Sequence, residues 1–186
     1  MAFFSGGQGM VKLLMLYIID RFRTPITREQ LYTAMVNVDD TGFFEMSELL
    51  AELERDRYLL TAPVRQQQLL FLTEKGAELV KAFEREIAKS SRDEMAGYAD
   101  ENRERIRREN CIVTDALPRG DGSWNLSLAI LDNSSAAFEI NLLMPDSHST
   151  YTAQQRWLRE ADKIYLEMLE RLCGDNAQSE EKEGSE

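Results

Sequence analysis

The chain has 186 residues, of which 43% are hydrophobic and 30% charged, a balance typical of a globular protein rather than a disordered one. Its length suits one ordinary domain or two small ones. With 22 Lys and Arg residues against 33 Asp and Glu residues, the formal net charge is −11, which argues against a protein that mainly coats nucleic acid. No run approaches the roughly 20 apolar residues of a membrane helix, so no membrane partner is expected.

The cysteines and the N-terminal segment favour a cytoplasmic protein. Cys111 and Cys173 lie far apart and form no CxxC pair, so the sequence predicts neither a disulfide framework nor a zinc site. The first residues lack the basic n-region and the small-residue cleavage site of a signal peptide.

The first half of the chain predicts three helices. Apolar residues at helical spacing predict the first helix over residues 10–23. A capping box at Thr27 and Gln30 begins the second, which extends to about residue 36. The third covers residues 43–57 and has one apolar side. That side holds Met46, Leu49, Leu50 and Leu53.

A hairpin and a fourth helix follow. Two strand-like runs, residues 58–62 and 69–73, enclose a polar segment and predict an antiparallel hairpin. Thr73 is placed to cap a helix that extends to about residue 89.

The second half has a different pattern. A capping box at Ser91 and Glu94 predicts a charged helix to about residue 110. Apolar and polar residues then alternate in strand-like segments, which predicts an antiparallel sheet with one covered face. Those strands are residues 111–117, 124–130 and 138–144. A capping box at Thr152 and Gln155 begins a last helix that ends near Gly174 and covers the sheet.

These elements predict an α+β protein with two modules. The first, residues 1–90, has the order of a winged helix-turn-helix domain. The second, residues 91–174, combines a helix, three antiparallel strands and a C-terminal helix. Residues 175–186 form an acidic tail that we expect to be disordered, because its composition cannot bury a core.

The first module resembles known bacterial regulators. The stretch Leu70-Phe-Leu-Thr-Glu-Lys-Gly-Ala-Glu-Leu79 resembles the junction between wing and helix in PadR-like and MarR-like transcriptional regulators. The opening Lys12-Leu-Leu-Met-Leu-Tyr-Ile-Ile19, the segment Pro25-Ile-Thr27 and the charged second half are similar to one bacterial family of unknown function described as winged-helix regulators. This resemblance covers roughly residues 10–172.

The resemblance implies a DNA-binding transcriptional regulator. In winged helices the third helix enters the major groove and the wing contacts the backbone or the minor groove. DNA contacts are expected from the third helix, the hairpin and the start of the second helix, namely Arg28, Phe44, Ser47, Glu48, Ala51, Arg55, Arg65, Gln66 and Gln67. We also expect a homodimer, because paired half-sites supply affinity that one small domain lacks.

The charge of the third helix leaves a second hypothesis open. Residues 1–90 contain 11 Lys and Arg against 13 Asp and Glu, a net charge of −2, so this half is not basic. Residues 91–186 contain 11 against 20, a net charge of −9. Since carboxylates near phosphate are repelled, the alternative is a winged-helix module that contacts a protein partner instead of DNA.

Catalysis is not expected. His148 is the only histidine and lies between Pro145-Asp-Ser and Ser149. Catalytic triads are assembled from separated positions, whereas adjacent side chains rarely converge. The sequence therefore predicts a non-enzymatic protein with no catalytic residues, no metal and no cofactor.

Overall fold

The computed structural model describes residues 7–36, 38–64, 67–132 and 135–174. The fold is α+β and divides into two compact units. The first unit comprises residues 1–112 and 131–137, and the second comprises residues 113–130 and 138–186. The sequence-based boundary at residue 90 falls inside the first unit, because the helix that follows it packs on the first helix of the chain.

The first unit contains five helices and three strands among its described residues. In chain order they are α1 (Gly7–Phe22), β1 (Ile26–Thr27), α2 (Arg28–Met35), α3 (Phe43–Arg55), β2 (Leu59–Val64), β3 (Gln67–Leu72), α4 (Glu74–Phe83) and α5 (Lys89–Cys111).

Helix α1 is the centre of the first unit. It is apolar on nearly all sides, as expected of a helix surrounded by other elements, and it contacts α2, α3, α4, α5 and β3. Leu13, Leu16 and Phe22 are fully buried. The side of α3 predicted to be apolar packs into this core, with all four of its predicted residues buried.

The predicted hairpin is confirmed. Strands β2 and β3 pair antiparallel, with Leu59 opposite Leu72 and Val64 opposite Gln67. Sequence analysis missed β1, which pairs antiparallel with the other edge of β3 and gives the strand order β1-β3-β2. Strand β1 is only two residues long, which is too short to show a periodic pattern in the sequence. Only its pairing with β3 in the folded protein identifies it as a strand.

The capping box that begins α2 is also confirmed. The amide of Gln30 donates to Thr27 Oγ1 at 3.2 Å, and the amide of Thr27 donates to Gln30 Oε1 at 2.9 Å. Asn110 of α5 donates from Nδ2 to the same Gln30 oxygen and to the carbonyl oxygen of Pro25, each at 2.8 Å. These hydrogen bonds join the end of α5 to the start of α2.

Helix α3 ends two residues earlier than predicted. Arg57 adopts a left-handed conformation, with φ of 61°. The amide of Tyr58 then donates back to the carbonyl oxygen of Leu53 at 2.9 Å, a closure typical of helix C-termini.

The fourth helix likewise ends before residue 89. It is followed by a short 3₁₀ turn, Glu84–Glu86, after which Ile87 leaves the helical conformation and is buried in the core.

The predicted start of the charged helix was wrong. Helix α5 begins at Lys89, so Ser91 lies inside it, and its N-cap Ala88 provides no side-chain hydrogen bond. Arg103 on this helix donates to the carbonyl oxygens of Phe22 at 3.1 Å and Arg21 at 2.7 Å, which satisfies the C-terminal end of α1.

The second unit consists mainly of a sheet and one long helix. The three antiparallel strands are β4 (Ile112–Pro118), β5 (Trp124–Asp132) and β6 (Ser135–Met144), in that order, and the helix is α6 (Ser147–Cys173). Trp157 of α6 is buried, donates from Nε1 to the carbonyl oxygen of Val113 at 2.9 Å, and stacks on Phe138 with ring centroids 6.1 Å apart.

The predicted N-cap of α6, Thr152, was wrong by six residues. Its N-cap is Asp146, whose carboxylate accepts a hydrogen bond from the amide of Ser149 at 2.7 Å. Asp is as good an N-cap as Thr, and Asp146 stands directly after Pro145, so the helix begins there. His148 therefore lies in the first turn of α6. Gly174 is the C-cap, as expected.

Two further expectations concern the C-terminal tail and the absence of a membrane-spanning segment. The predicted acidic tail, residues 175–186, lies outside the described residues. Across the residues that the structure does describe, none of the helices has the length and apolar character needed to span a membrane.

Candidate functional site

The exposed side of α3 is the centre of the candidate site. Phe44 is 85% exposed, and Glu48, Ala51 and Arg55 are also exposed, opposite the buried apolar side. Ser47 differs from this group because it is only partly exposed, and its Oγ donates to the carbonyl oxygen of Phe43 at 2.9 Å. Its hydroxyl proton is thus already used within the helix.

Two carboxylates of α3 are paired with cations from neighbouring helices. Glu52 forms an ion pair with Lys12 of α1, and Arg28 at the start of α2 approaches Glu54 to 3.3 Å. The hydrogen bond and the positive charge from Lys12 lower the pKa of Glu52, which is therefore ionised at neutral pH. Thr61 of β2 also donates a hydrogen bond to Glu54.

These pairs reduce the negative charge on the outward side of α3. Glu45 and Glu48 are the exposed carboxylates that remain on the helix. Glu45 accepts a long hydrogen bond, 3.4 Å, from the side-chain amide of Gln8.

A cleft of about 520 Å³ lies between the start of α2 and the hairpin. The pairing of β1 with β3 explains its position, because Thr27 lies opposite Leu69 and the next residue along the chain begins α2. The cleft contains one cation, one carboxylate and neutral hydrogen-bonding groups. It is lined by Thr27, Arg28, Glu29, Thr61, Gln67 and Gln68.

The structure thus brings together some of the predicted residues and separates others. Arg28 and Gln67 share the cleft. Phe44, Glu48, Ala51 and Arg55 lie along the exposed side of α3 and do not line it. Two other predicted contacts, Arg65 and Gln66, lie outside the described residues.

Thr61 was not predicted as a member of the site. It carried a weak signal, because it interrupts an apolar strand run. The ion pairs of Glu52 and Glu54 had no such signal, because their partners are more than 20 residues away along the chain.

Arg55 is the exposed cation on α3 itself, and it also helps to lower the pKa of Glu52. Lys75, on the neighbouring α4, already contacts other groups of the protein: its Nζ donates to the carbonyl oxygen of Asp56 at 2.7 Å and lies 4.1 Å from the centre of the Tyr58 ring.

Within the described ranges, no three His, Cys, Asp or Glu side chains are grouped as metal ligands would be.

Comparison with known proteins gives a family without a described activity. Neither the curated proteins nor the solved structures provided a match. One family model matches residues 11–172, which is most of the chain, and its description is "Domain of unknown function (DUF4364)". The chain therefore belongs to the DUF4364 family of domains of unknown function.

Proposed function

We propose that the first unit is a winged helix-turn-helix module and that the protein is a DNA-binding transcriptional regulator. The observation that carries this proposal is the position of α3. It packs on α1 by its apolar side, follows α2 after a short connection, precedes the β2–β3 hairpin, and leaves its opposite side exposed. This order and exposure are what a recognition helix followed by a wing requires.

The exposed groups suit different parts of a DNA duplex. Arg28 and Arg55 are positioned as phosphate contacts, and the glutamines at the end of the hairpin add neutral hydrogen bonds to the backbone. Glu48 is able to accept from cytosine N4, while Ala51 and Phe44 offer apolar contact to a thymine methyl group.

The acidic composition of α3 is less of an obstacle than its sequence suggests. Glu52 and Glu54 bind Lys12 and Arg28 within the protein, so Glu45 and Glu48 are the exposed carboxylates of α3 that would repel phosphate. Repulsion from two carboxylates weakens phosphate binding without abolishing it, since affinity depends on the number of phosphates neutralised.

The other parts of the proposal follow from DNA binding. The role is non-enzymatic and cytoplasmic, in the compartment that holds bacterial DNA. The protein acts as a homodimer on paired half-sites. Exposed leucines on α6, namely Leu158, Leu166, Leu169 and Leu172, support a contact between two copies. Light scattering on a size-exclusion column tests the dimer, and a monomer at all concentrations would contradict it.

A protein partner is the second candidate, and Phe44 is the observation that favours it. An aromatic ring that is 85% exposed beside Phe43, itself half exposed, is typical of a surface that another protein covers. In this alternative, α3 contacts a protein through Phe44 and Glu48 and does not bind DNA.

Titration of a fluorescent DNA duplex at low salt tests the proposal. We expect binding whose affinity falls steeply with salt concentration. The variants Arg28→Ala and Arg55→Ala should each weaken binding to all sequences and reduce the salt slope by about 1. The matched control is Arg85→Ala, which removes an exposed cation from the turn after α4 and should change neither quantity.

The same titration separates the two candidates. Absence of binding at micromolar protein, or equal behaviour of all three arginine variants, would contradict DNA binding through α3. Capture of a defined protein partner that is lost in Phe44→Ala, without DNA binding, would establish the second candidate instead.

A further inference from the structure

A second cleft, of about 480 Å³, lies within the second unit between the sheet and α6. Its volume is in the range of sites that hold small molecules. The floor is apolar and comes from two strands and the helix: Leu128 of β5, Ile140 and Leu142 of β6, and Trp157 and Ile164 of α6.

The apolar floor is held in a fixed position. The hydrogen bond from Trp157 to the carbonyl of Val113 and the stacking on Phe138 fix the indole ring. Leu142, in contrast, remains 41% exposed although it belongs to a sheet face that α6 covers elsewhere. An apolar ligand body would therefore gain contact with Leu142 and remove its side chain from water.

One end of the cleft is polar and carries a cation. Arg156 lines it together with Thr152 and His148 in the first turns of α6. Arg156 is exposed, and among the described residues no ion pair or hydrogen bond occupies its guanidinium. The guanidinium is therefore accessible to an anion that enters the cleft from solution.

We propose that this cleft binds a small amphipathic carboxylate from solution, with its apolar body against Trp157 and Leu142 and its carboxylate on Arg156. The planar guanidinium presents parallel N–H donors that match the two oxygens of a carboxylate. The Thr152 hydroxyl is a further donor at the same end. This site lies wholly in the second unit, and the proposal does not depend on whether the first unit binds DNA.

Displacement of a fluorescent probe tests the proposal on the full chain. The probe is 8-anilinonaphthalene-1-sulfonate, which combines an apolar ring system with an anion. Energy transfer from Trp157 to the probe, measured in a Trp124→Phe background so that Trp157 is the remaining tryptophan, reports probe bound near Trp157, and the Arg156 variant below shows whether that probe occupies the cleft. The competitors are octanoate, neutral 1-octanol and acetate.

We expect octanoate to displace the probe, 1-octanol to require at least about 10-fold higher concentration, and acetate to have no effect. A hydrogen bond to a charged group contributes about 1.5–3 kcal/mol, so Arg156→Gln should weaken octanoate binding at least about 10-fold. Arg159→Gln removes an exposed cation of the same helix that does not line the cleft, and should leave octanoate binding unchanged.

A shift in the thermal unfolding midpoint with octanoate, measured on the chain that keeps both tryptophans, provides a second measurement that does not need the Trp124 variant. The proposal is overturned if octanoate and 1-octanol compete equally, if the two arginine variants behave alike, or if octanoate neither displaces the probe nor stabilises the protein.

Discussion

The two units differ in how completely they bury their apolar side chains. In the first unit α1 is surrounded by four helices and a strand, and its large side chains are fully buried. In the second unit, one sheet and one helix bury Trp157 fully but leave leucines exposed on β6 and along α6. A layer of one helix on three strands has too little material to cover both components.

This difference in burial gives the two units different kinds of exposed surface. The first unit completes its core from its own elements, and the exposed side of α3 combines the charged Glu48 and Arg55 with the aromatic ring of Phe44. The second unit presents apolar surface at two places, the cleft beside Leu142 and the exposed leucines of α6. We therefore propose a recognition surface of charged and aromatic residues on the first unit, and apolar contacts with a ligand and with a second copy on the second unit.

Truncating one leucine in each unit should give the largest contrast. Leu50→Ala removes a side chain that is 1% exposed in the core of the first unit. It should cost about 2–5 kcal/mol in free energy of unfolding, because it leaves a cavity. Leu142→Ala in the second unit should cost less than about 1 kcal/mol, because its side chain is already partly in water.

Urea denaturation followed by far-ultraviolet circular dichroism measures both leucine variants. Equal losses of stability would show that Leu142 is packed as tightly as Leu50, and would contradict the difference in burial between the two units.

A pair of glycines tests the tight packing of the first unit more locally. A Cβ added at Gly76 in α4 would overlap the carbonyl oxygen of Tyr58 and lie 2.7 Å from Leu72 Cδ1. Gly76→Ala should therefore cost about 1–3 kcal/mol through overpacking. The control Gly97→Ala in α5, where no atom lies within 4 Å of the added Cβ, should instead stabilise by up to about 1 kcal/mol.

Thermal unfolding of both glycine variants is the measurement. A Gly76→Ala protein as stable as the parent would mean that the approach of α4 to Tyr58 is looser than described.

The smallest expected effect is a pH dependence of one carboxylate in each unit. Glu52 has a lowered pKa because of Lys12, and Asp146 has a lowered pKa because the amide of Ser149 donates to it. A lowered folded-state pKa gives stability that is present above the unfolded value and is lost as pH falls through the folded value.

The matched variants are Glu52→Gln and Asp146→Asn. Each should be less stable than the parent at pH 7. The deficit of Glu52→Gln should shrink below about pH 4.5, and that of Asp146→Asn only below about pH 3.8, the ordinary values of these groups. Urea denaturation at a series of pH values measures this, and a deficit that persists to pH 2 would contradict both assignments.

Local patterns in the sequence predicted most of the fold. The four apolar residues of α3, the capping box at Thr27 and the hairpin all follow from interactions between residues close in the chain, and each is confirmed. Candidate site residues on the outward side of α3 could be named for the same reason, because a helix with one buried side has only one opposite side.

The predictions fail where the structure depends on contacts between residues distant in the chain, or where two possible N-caps compete. Strand β1 exists only through its pairing with β3, and the cleft beside it could not be foreseen. Thr152 has a good capping pattern, yet Asp146 provides an earlier cap and the helix begins there. The ion pair of Lys12 with Glu52 joins two helices that are remote in sequence, so the charge available on α3 could not be read from composition.

Mapping amide resonances while a DNA duplex is added tests the central claim most directly. Labelled protein is titrated with duplex DNA, and shifts in the ¹H–¹⁵N spectrum are assigned to residues. The account predicts shifts concentrated at the start of α2, along the exposed side of α3 and in the β2–β3 hairpin, with α6 unaffected by contact. No shifts, or shifts confined to the second unit, would contradict it.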